Sequence, residues 1–104
     1  SKNLPTAVLA AEDQMALGAL KAAFKMKVKI PEDISLIGFD NIIQSRYSTP
    51  SLTTISQPRR EMGRAAINLL VALIEKEEEN QKQQLFKPKL IIRESTSSIK
   101  QHLS

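Results

Sequence analysis

Ala7-Val8-Leu9-Ala10-Ala11-Glu12-Asp13, answered further on by Ser35-Leu36-Ile37-Gly38-Phe39-Asp40-Asn41, decides how this chain folds. Each stretch is a short apolar run that stops at acidic or amide side chains. Runs of this kind read as strands buried on both faces, as in a parallel sheet. Glu12-Asp13 opens a helix between them, because acids in the first turn complement the helix dipole. Met15, Ala16, Leu17, Ala19, Leu20, Ala22, Ala23, Phe24 and Met26 then cover well over half of its circumference. Gln14, Gly18, Lys21 and Lys25 are left as the wet side, and an apolar arc that broad calls for two packing partners. Lys29-Ile30-Pro31-Glu32-Asp33 ends the helix, since the residue before a proline avoids the α region. Strand, helix and strand at this spacing make a βαβ unit with a right-handed crossover.

Outward from that unit, Ile42 to Ser51 carries the turn formers Ser45, Ser48 and Pro50 behind Asn41 and reads as loop. Leu52-Thr53-Thr54-Ile55 is β-branched and extended. Pro58 suits the first turn of a second helix that runs to about Glu75. Met62, Ala65, Ala66, Leu69, Leu70 and Leu73 form one apolar stripe on it, and Ile67, Val71 and Ile74 a second beside it. The polar stretch Glu75 to Gln84 places acids at a helix C-terminus, against the dipole, and is expected to fray into a mobile loop. Lys89-Leu90-Ile91-Ile92-Arg93-Glu94 is a last strand, and Ser95 onward is expected to be a disordered tail. Two helices with surplus apolar surface imply oligomerisation, cover supplied by a larger parent protein, or both.

Composition narrows the function classes. The 104 residues hold one domain at most. No apolar run is long enough to span a bilayer, and Ser1-Lys2-Asn3-Leu4-Pro5 lacks the features of a signal peptide. Without an initiator methionine, a larger parent is expected. The absence of cysteine excludes disulfides and thiolate metal sites and fits a reducing compartment. The net charge of +4 does not signal nucleic acid. Lys21, Lys25, Lys27 and Lys29 are offset by Glu12, Asp13, Glu32 and Asp33, and no aromatics are interleaved with the basic residues as a stacking platform needs.

Asp40 sits just past the carboxyl end of the second strand, and Glu12-Asp13 just past the end of the first. Ligands of open α/β sheets bind in the crevice outside those ends. Carboxylates there can accept hydrogen bonds from sugar hydroxyls or from the N–H groups of a base. The plainer alternatives are that Asp13 only favours the helix start and that Asp40 only makes a turn with Asn41. Catalysis has no support. His102, the single histidine, falls in the expected tail, and Gly18, Gly38 and Gly63 do not make a phosphate loop. No catalytic residue, cofactor or metal site is expected, and the chain does not read as an enzyme. Met15 and Met26 read as core filler. Arg59-Arg60 at a helix start reads as a solvated face or a contact to an anion or another subdomain. Gly18, costly inside a helix, suggests close packing against another backbone.

Four blocks together resemble one family. Pro5-Thr6-Ala7-Val8-Leu9-Ala10-Ala11-Glu12-Asp13-Gln14-Met15-Ala16-Leu17-Gly18-Ala19-Leu20 is similar to the strand-helix block of lactose-repressor/galactose-repressor (LacI/GalR) transcription regulators. Ile30 to Asn41 resembles their second block, Tyr47 to Pro58 with the Met62-Gly63 helix their third, and Leu90 to Thr96 their closing strand. The likeness runs from about Leu4 to Thr96 with the blocks in order. It implies a periplasmic-binding-protein-like α/β fold, a parallel sheet flanked by helices, of which only part of the two-subdomain core is present. Residues 4–55 would be the βαβ part of the C-terminal subdomain, 56–80 a helix of the other subdomain, 86–96 a returning strand and 97–104 a tail. The DNA-binding headpiece would lie outside this chain.

The resemblance also implies roles. Asp40 corresponds to an aspartate that commonly contacts the effector. Glu12 stands where the family often has Asn or another small polar residue, a departure compatible with an amine or a cation. Gln57 lies where the family closes its cleft, and Arg59 where some members stack an aromatic on a sugar. With Asp13, these are the candidate effector contacts. Ala16, Leu17, Leu20 and Tyr47 are the candidate dimer interface. The implied protein is a cytoplasmic homodimeric repressor that responds to a small molecule, a sugar or sugar derivative, and meets operator DNA only through its headpiece, with no membrane partner. The rivals are a sugar-binding protein of a transport system, from which the Asp40 to Pro58 block argues away, and a truncated regulator acting only as an interaction module.

Overall fold

The computed structural model of the chain describes residues 4–76 and 84–99. Within them the elements are β1 (Ala7–Leu9), α1 (Asp13–Lys25), β2 (Ser35–Phe39), α2 (Gln44–Tyr47), β3 (Thr53–Ser56), α3 (Arg59–Ile74) and β4 (Lys89–Ile91). The strands form one sheet in the order β1-β2-β3-β4. β1 pairs β2 and β2 pairs β3 in parallel, while β4 runs antiparallel to β3 with Ile55 opposite Leu90. The chain is thus α/β with the expected β1-α1-β2 unit. It divides into two compact units, Ser1–Ser56 with Lys89–Ser104, and Gln57–Pro88.

In the first unit the core forms where α1 meets the sheet. Ala16 and Leu20, one turn apart on α1, are buried with Leu36 of β2 and Leu52 at the entry to β3; Ala10, Leu17, Ala19 and Ile30 pack around them. Each fully buried leucine contributes about 1.5–3 kcal/mol relative to exposure. Much of the remaining apolar arc of α1 is uncovered among the described residues. Met15, Phe24 and Met26 are exposed, so Met15 and Met26 are not core filler here. β1 departs from expectation in the same way: Ala7, Val8 and Leu9 are exposed rather than buried on both faces, because little among the described residues packs on either face of the sheet there.

The helix also stops earlier than Pro31 requires. Lys27 takes the left-handed conformation (φ +60°), its N–H bonds the Phe24 carbonyl at 3.2 Å and the Val28 N–H bonds that of Ala23 at 2.8 Å. These two bonds satisfy the carbonyls that a helix end leaves open. Close packing, expected at Gly18, is absent there, and Gly38 is the crowded glycine instead.

Two further corrections concern segments expected to be irregular. Ile42 to Ser51 contains the short helix α2, organised by the Asp13 side chain. Ser95, expected to open a disordered tail, is fully buried. Its N–H···O partners are the starts of two strands: Leu36 N–H donates to its carbonyl at 2.9 Å and Thr53 N–H to its hydroxyl oxygen at 2.8 Å. The Ser95 hydroxyl in turn donates to the Leu36 carbonyl at 2.6 Å, and Ser97 N–H donates to the Ser35 hydroxyl at 3.1 Å. Hydroxyl groups do here what a ladder does elsewhere, which a reading of the sequence for apolar periodicity passes over. For the same reason β4 ends at Ile91 and not at Glu94: the Arg93 N–H bonds the Thr53 hydroxyl at 2.8 Å.

In the second unit α3 begins behind Pro58, whose carbonyl accepts the Met62 N–H at 3.0 Å. Ala72 is buried, Met62 and Ala65 are half-buried, and Ile67, Leu70, Leu73 and Ile74 are exposed. Lys76, at φ +55°, closes the helix with its N–H on the Leu73 carbonyl at 3.3 Å. His102 and most of the polar stretch after Glu75 lie outside the described residues.

Candidate functional site

The carboxyl ends of β1 and β2 lie side by side, because the two strands pair in parallel with Leu9 opposite Ile37. Pairing continues past the strands: Ala10 N–H donates to the Ile37 carbonyl and Asp40 N–H to that of Ile55, both at 2.8 Å. The topology therefore brings Glu12 and Asp40 to the same edge of the sheet. Glu12 is the N-cap residue of α1, with extended backbone (φ −155°), and its side chain makes no capping bond. It is exposed, and Asp40 is half-buried. Asp40 and Asn41 both have positive φ, +116° and +57°.

Asp13, the neighbour of Glu12, is placed differently. It is 1% exposed, and both of its oxygens are turned to donors of the same unit. Oδ1 accepts the Thr54 hydroxyl at 2.6 Å, and Oδ2 accepts the Ile42 N–H at 2.9 Å together with the Ser45 hydroxyl. One carboxylate thus ties the start of α1 to β3 and to the loop that enters α2. Room for it exists only because residue 38 is glycine, since a Cβ there would overlap Asp13 Oδ1 and stand 2.8 Å from Leu52 Cδ2.

The bonds run on from Thr54. Its hydroxyl oxygen accepts the Asn41 N–H at 3.2 Å. The Asn41 side-chain oxygen accepts Arg93 Nη2 at 2.7 Å, and Arg93 Nη1 donates to the Leu52 carbonyl at 2.9 Å. Ser45, Thr54 and Arg93 had no functional signal in the sequence. A threonine in a β-branched run reads as strand propensity, and Arg93 reads as the outward residue of a last strand. A shifted pKa is found at Glu94, whose carboxyl is held below its ordinary value by the Ser51 backbone N–H and then by the Ser51 hydroxyl. Ser51 precedes β3, at the opposite end of the strand from Asp40.

Of the other candidates, Gln57 is half-buried and Arg59 exposed at the start of the second unit, where the Arg59 N–H bonds the Gln57 carbonyl at 2.8 Å. The dimer candidates separate. Ala16 and Leu20 are core residues and offer a partner no surface; the buried face of α1 is the one that carries them and Asp13. Leu17 is half-buried and Tyr47 is 77% exposed. Among the described residues no group of three or more His, Cys, Asp or Glu is placed to hold a metal ion, and no helix is long and apolar enough to cross a membrane.

Residues 1–96 match the periplasmic binding protein-like domain family. The chain belongs to this family. Its sequence is 46% identical over 94 residues to the HTH-type transcriptional repressor PurR of Klebsiella pneumoniae subsp. pneumoniae, covering 89% of this chain and 27% of that protein. Among solved structures it is similar to a LacI-type transcription regulator from Bifidobacterium animalis subsp. lactis, with TM-score 0.83 and 33% identity over 90% of this chain and 34% of that one. It is equally similar to the lac repressor dimer bound to operator and an anti-inducer, with TM-score 0.83 and 36% identity over 91% and 33% of the two chains. These relatives bear out the LacI/GalR resemblance and the periplasmic-binding-protein-like fold. The chain spans about a quarter of the length of the curated relatives it matches.

Proposed function

We propose that this chain is the effector-binding and dimerisation part of a LacI-type transcription regulator, a non-enzymatic protein that works in the cytoplasm. The observation that carries the effector site is the juxtaposition of Asp40 and Glu12 at the carboxyl ends of two adjacent parallel strands, where open α/β sheets take ligands. Two acceptor-only groups suit a small molecule rich in hydroxyls, a sugar or sugar derivative, and the Glu12 carboxylate adds preference for one that also carries an amine. Asp13 supports that edge from inside the fold. Gln57 and Arg59 are carried as contacts from the second unit on the resemblance alone, as is the assignment of residues 4–55 and 86–96 to one subdomain and 56–80 to the other. Leu17 and Tyr47 remain the dimer candidates with surface to offer. Effector binding favours one global state of the dimer, and that state sets operator affinity through a DNA-reading headpiece.

The test is Asp40→Ala in the intact regulator. A lost hydrogen bond to a charged group weakens effector binding about tenfold to a hundredfold. Operator binding without effector should stay as in the wild type. Fluorescence-anisotropy titrations on DNA fragments selected by the protein, with a panel of sugars and amino sugars, measure both. Unchanged effector curves for Asp40→Ala would remove the site, and the lack of any selected DNA would remove the regulator reading.

A further inference from the structure

The end of β2 is held where L side chains rarely rest. Asparagine tolerates the left-handed region that Asn41 occupies, but Asp40 at φ +116° lies beyond it. Such residues persist only when their surroundings over-determine them. At least three restraints act on the pair. Asp40 N–H is fixed on the Ile55 carbonyl (2.8 Å), and Asn41 N–H on the Thr54 hydroxyl (3.2 Å), whose own proton is committed to Asp13 (2.6 Å). The third is the bond from Arg93 to the Asn41 side chain (2.7 Å), and it comes from far along the chain. Arg93 is itself anchored at two more points on β3 or its entry, by its N–H on the Thr53 hydroxyl (2.8 Å) and by Nη1 on the Leu52 carbonyl (2.9 Å).

We propose that Arg93 is a positioning residue for the effector: by clamping the Asn41 amide against the start of β3, it holds Asp40 in the backbone pose from which that residue meets its ligand. The inference rests on the effector reading of Asp40. A guanidinium fits the task because its planar fork serves two acceptors at once, Asn41 Oδ1 and the Leu52 carbonyl. A lysine ammonium in the same place keeps the charge and loses the fork. Asn41 is the mediator, so removing its side chain should disconnect Arg93 from Asp40. Glycine is the substitution of choice there, since it accepts positive φ without strain.

The experiment uses Arg93→Lys, Asn41→Gly, the double variant and Asp40→Ala. Amide hydrogen exchange is read at Asp40 and Asn41, with Ala10 N–H as reference. Affinity is read by calorimetry with D-glucose, cellobiose, glucosamine and adenine as probes. Arg93→Lys should speed exchange at Asp40 and Asn41 about tenfold relative to Ala10 and weaken binding of the bound probe about tenfold. In the Asn41→Gly background the same change should add almost nothing to the loss of affinity. Unchanged exchange overturns the inference, and so does an affinity loss of equal size in both backgrounds, which would mean that Arg93 does not act through Asn41. If Asp40→Ala weakens binding while Arg93→Lys does not, the effector site stands and the positioning role falls. If Asp40→Ala binds like the wild type, or no probe binds the wild type, the effector reading fails and takes the inference with it.

Discussion

Replacing Asp13 by alanine removes the acceptor of three donors at once: the Ile42 N–H, the Ser45 hydroxyl and the Thr54 hydroxyl. A buried donor left unsatisfied costs about 1–3 kcal/mol. The two hydroxyls can rotate toward other acceptors, but the backbone N–H of Ile42 cannot, so the lower bound is one full penalty, and the realistic range is about 3–5 kcal/mol. Relief from keeping a charged group out of water works in the other direction and keeps the total from being a simple sum. Asp13→Asn separates the contributions. An amide can leave its oxygen on Ile42 and Ser45 and turn its nitrogen to the Thr54 oxygen, so two of the three bonds survive, and the loss should be about 1–2 kcal/mol. Urea unfolding followed by circular dichroism measures both variants, with the slope checked for constancy. An Asp13→Ala loss under about 1 kcal/mol, or an asparagine variant as damaged as the alanine one, would refute the account of this carboxylate as the tie between α1, α2 and β3.

Gly38→Ala should destabilise by about 3 kcal/mol, since the new Cβ overlaps a locked carboxylate and approaches Leu52. Gly18→Ala, with nothing within 4 Å of the new methyl group, should instead stabilise by up to about 1 kcal/mol; urea midpoints of equal sign for the two would sink the argument. The Glu94 pKa is lowered in the folded chain, first by the Ser51 N–H and then by its hydroxyl. Its contribution is therefore present above the unfolded-state pKa and is lost as pH falls through the folded one. Glu94→Gln should flatten that part of the urea-midpoint profile as the pH falls through and below the ordinary glutamate range, and an acid limb identical to the wild type would show that the bonds to Ser51 do not persist in solution.

The parts of the fold that could be read from the sequence are those written in apolar periodicity and helix-start chemistry: β1, α1, β2 and the extent of α3. What could not be read is written in hydroxyl and amide groups. Nothing in Ser95-Thr96-Ser97 distinguishes a frayed tail from a segment whose hydroxyls splice β2 to β3, because both compositions are polar and short. Nothing in Ala16 or Leu20 says which side of a broadly apolar helix meets the sheet. That side is set by Asp13, whose buried oxygens fix the rotation of α1, and residues three and seven positions later fall on the same face. That Asp40 and Glu12 share one edge of the sheet was legible because chain topology alone puts strand ends together. Arg93 was not, since its partner is fifty-two positions away.

Glu12 and Asp13 show how neighbouring acids at one strand end come to do different work. The extended backbone of Glu12 leaves its side chain exposed and uninvolved in capping, whereas Asp13, the first residue of the helix proper, is carried inward over Gly38. Exchange of an exposed side chain that caps nothing costs little, of the order of 0.5 kcal/mol, while exchange of Asp13 dismantles a network. Glu12 stands exposed at the sheet edge it shares with Asp40, and Asp13 lies buried next to it. The charge at residue 12 can thus change at little cost to the fold, whereas the backbone of Asp40 and Asn41 is held by the Ile55 carbonyl, the Thr54 hydroxyl and Arg93.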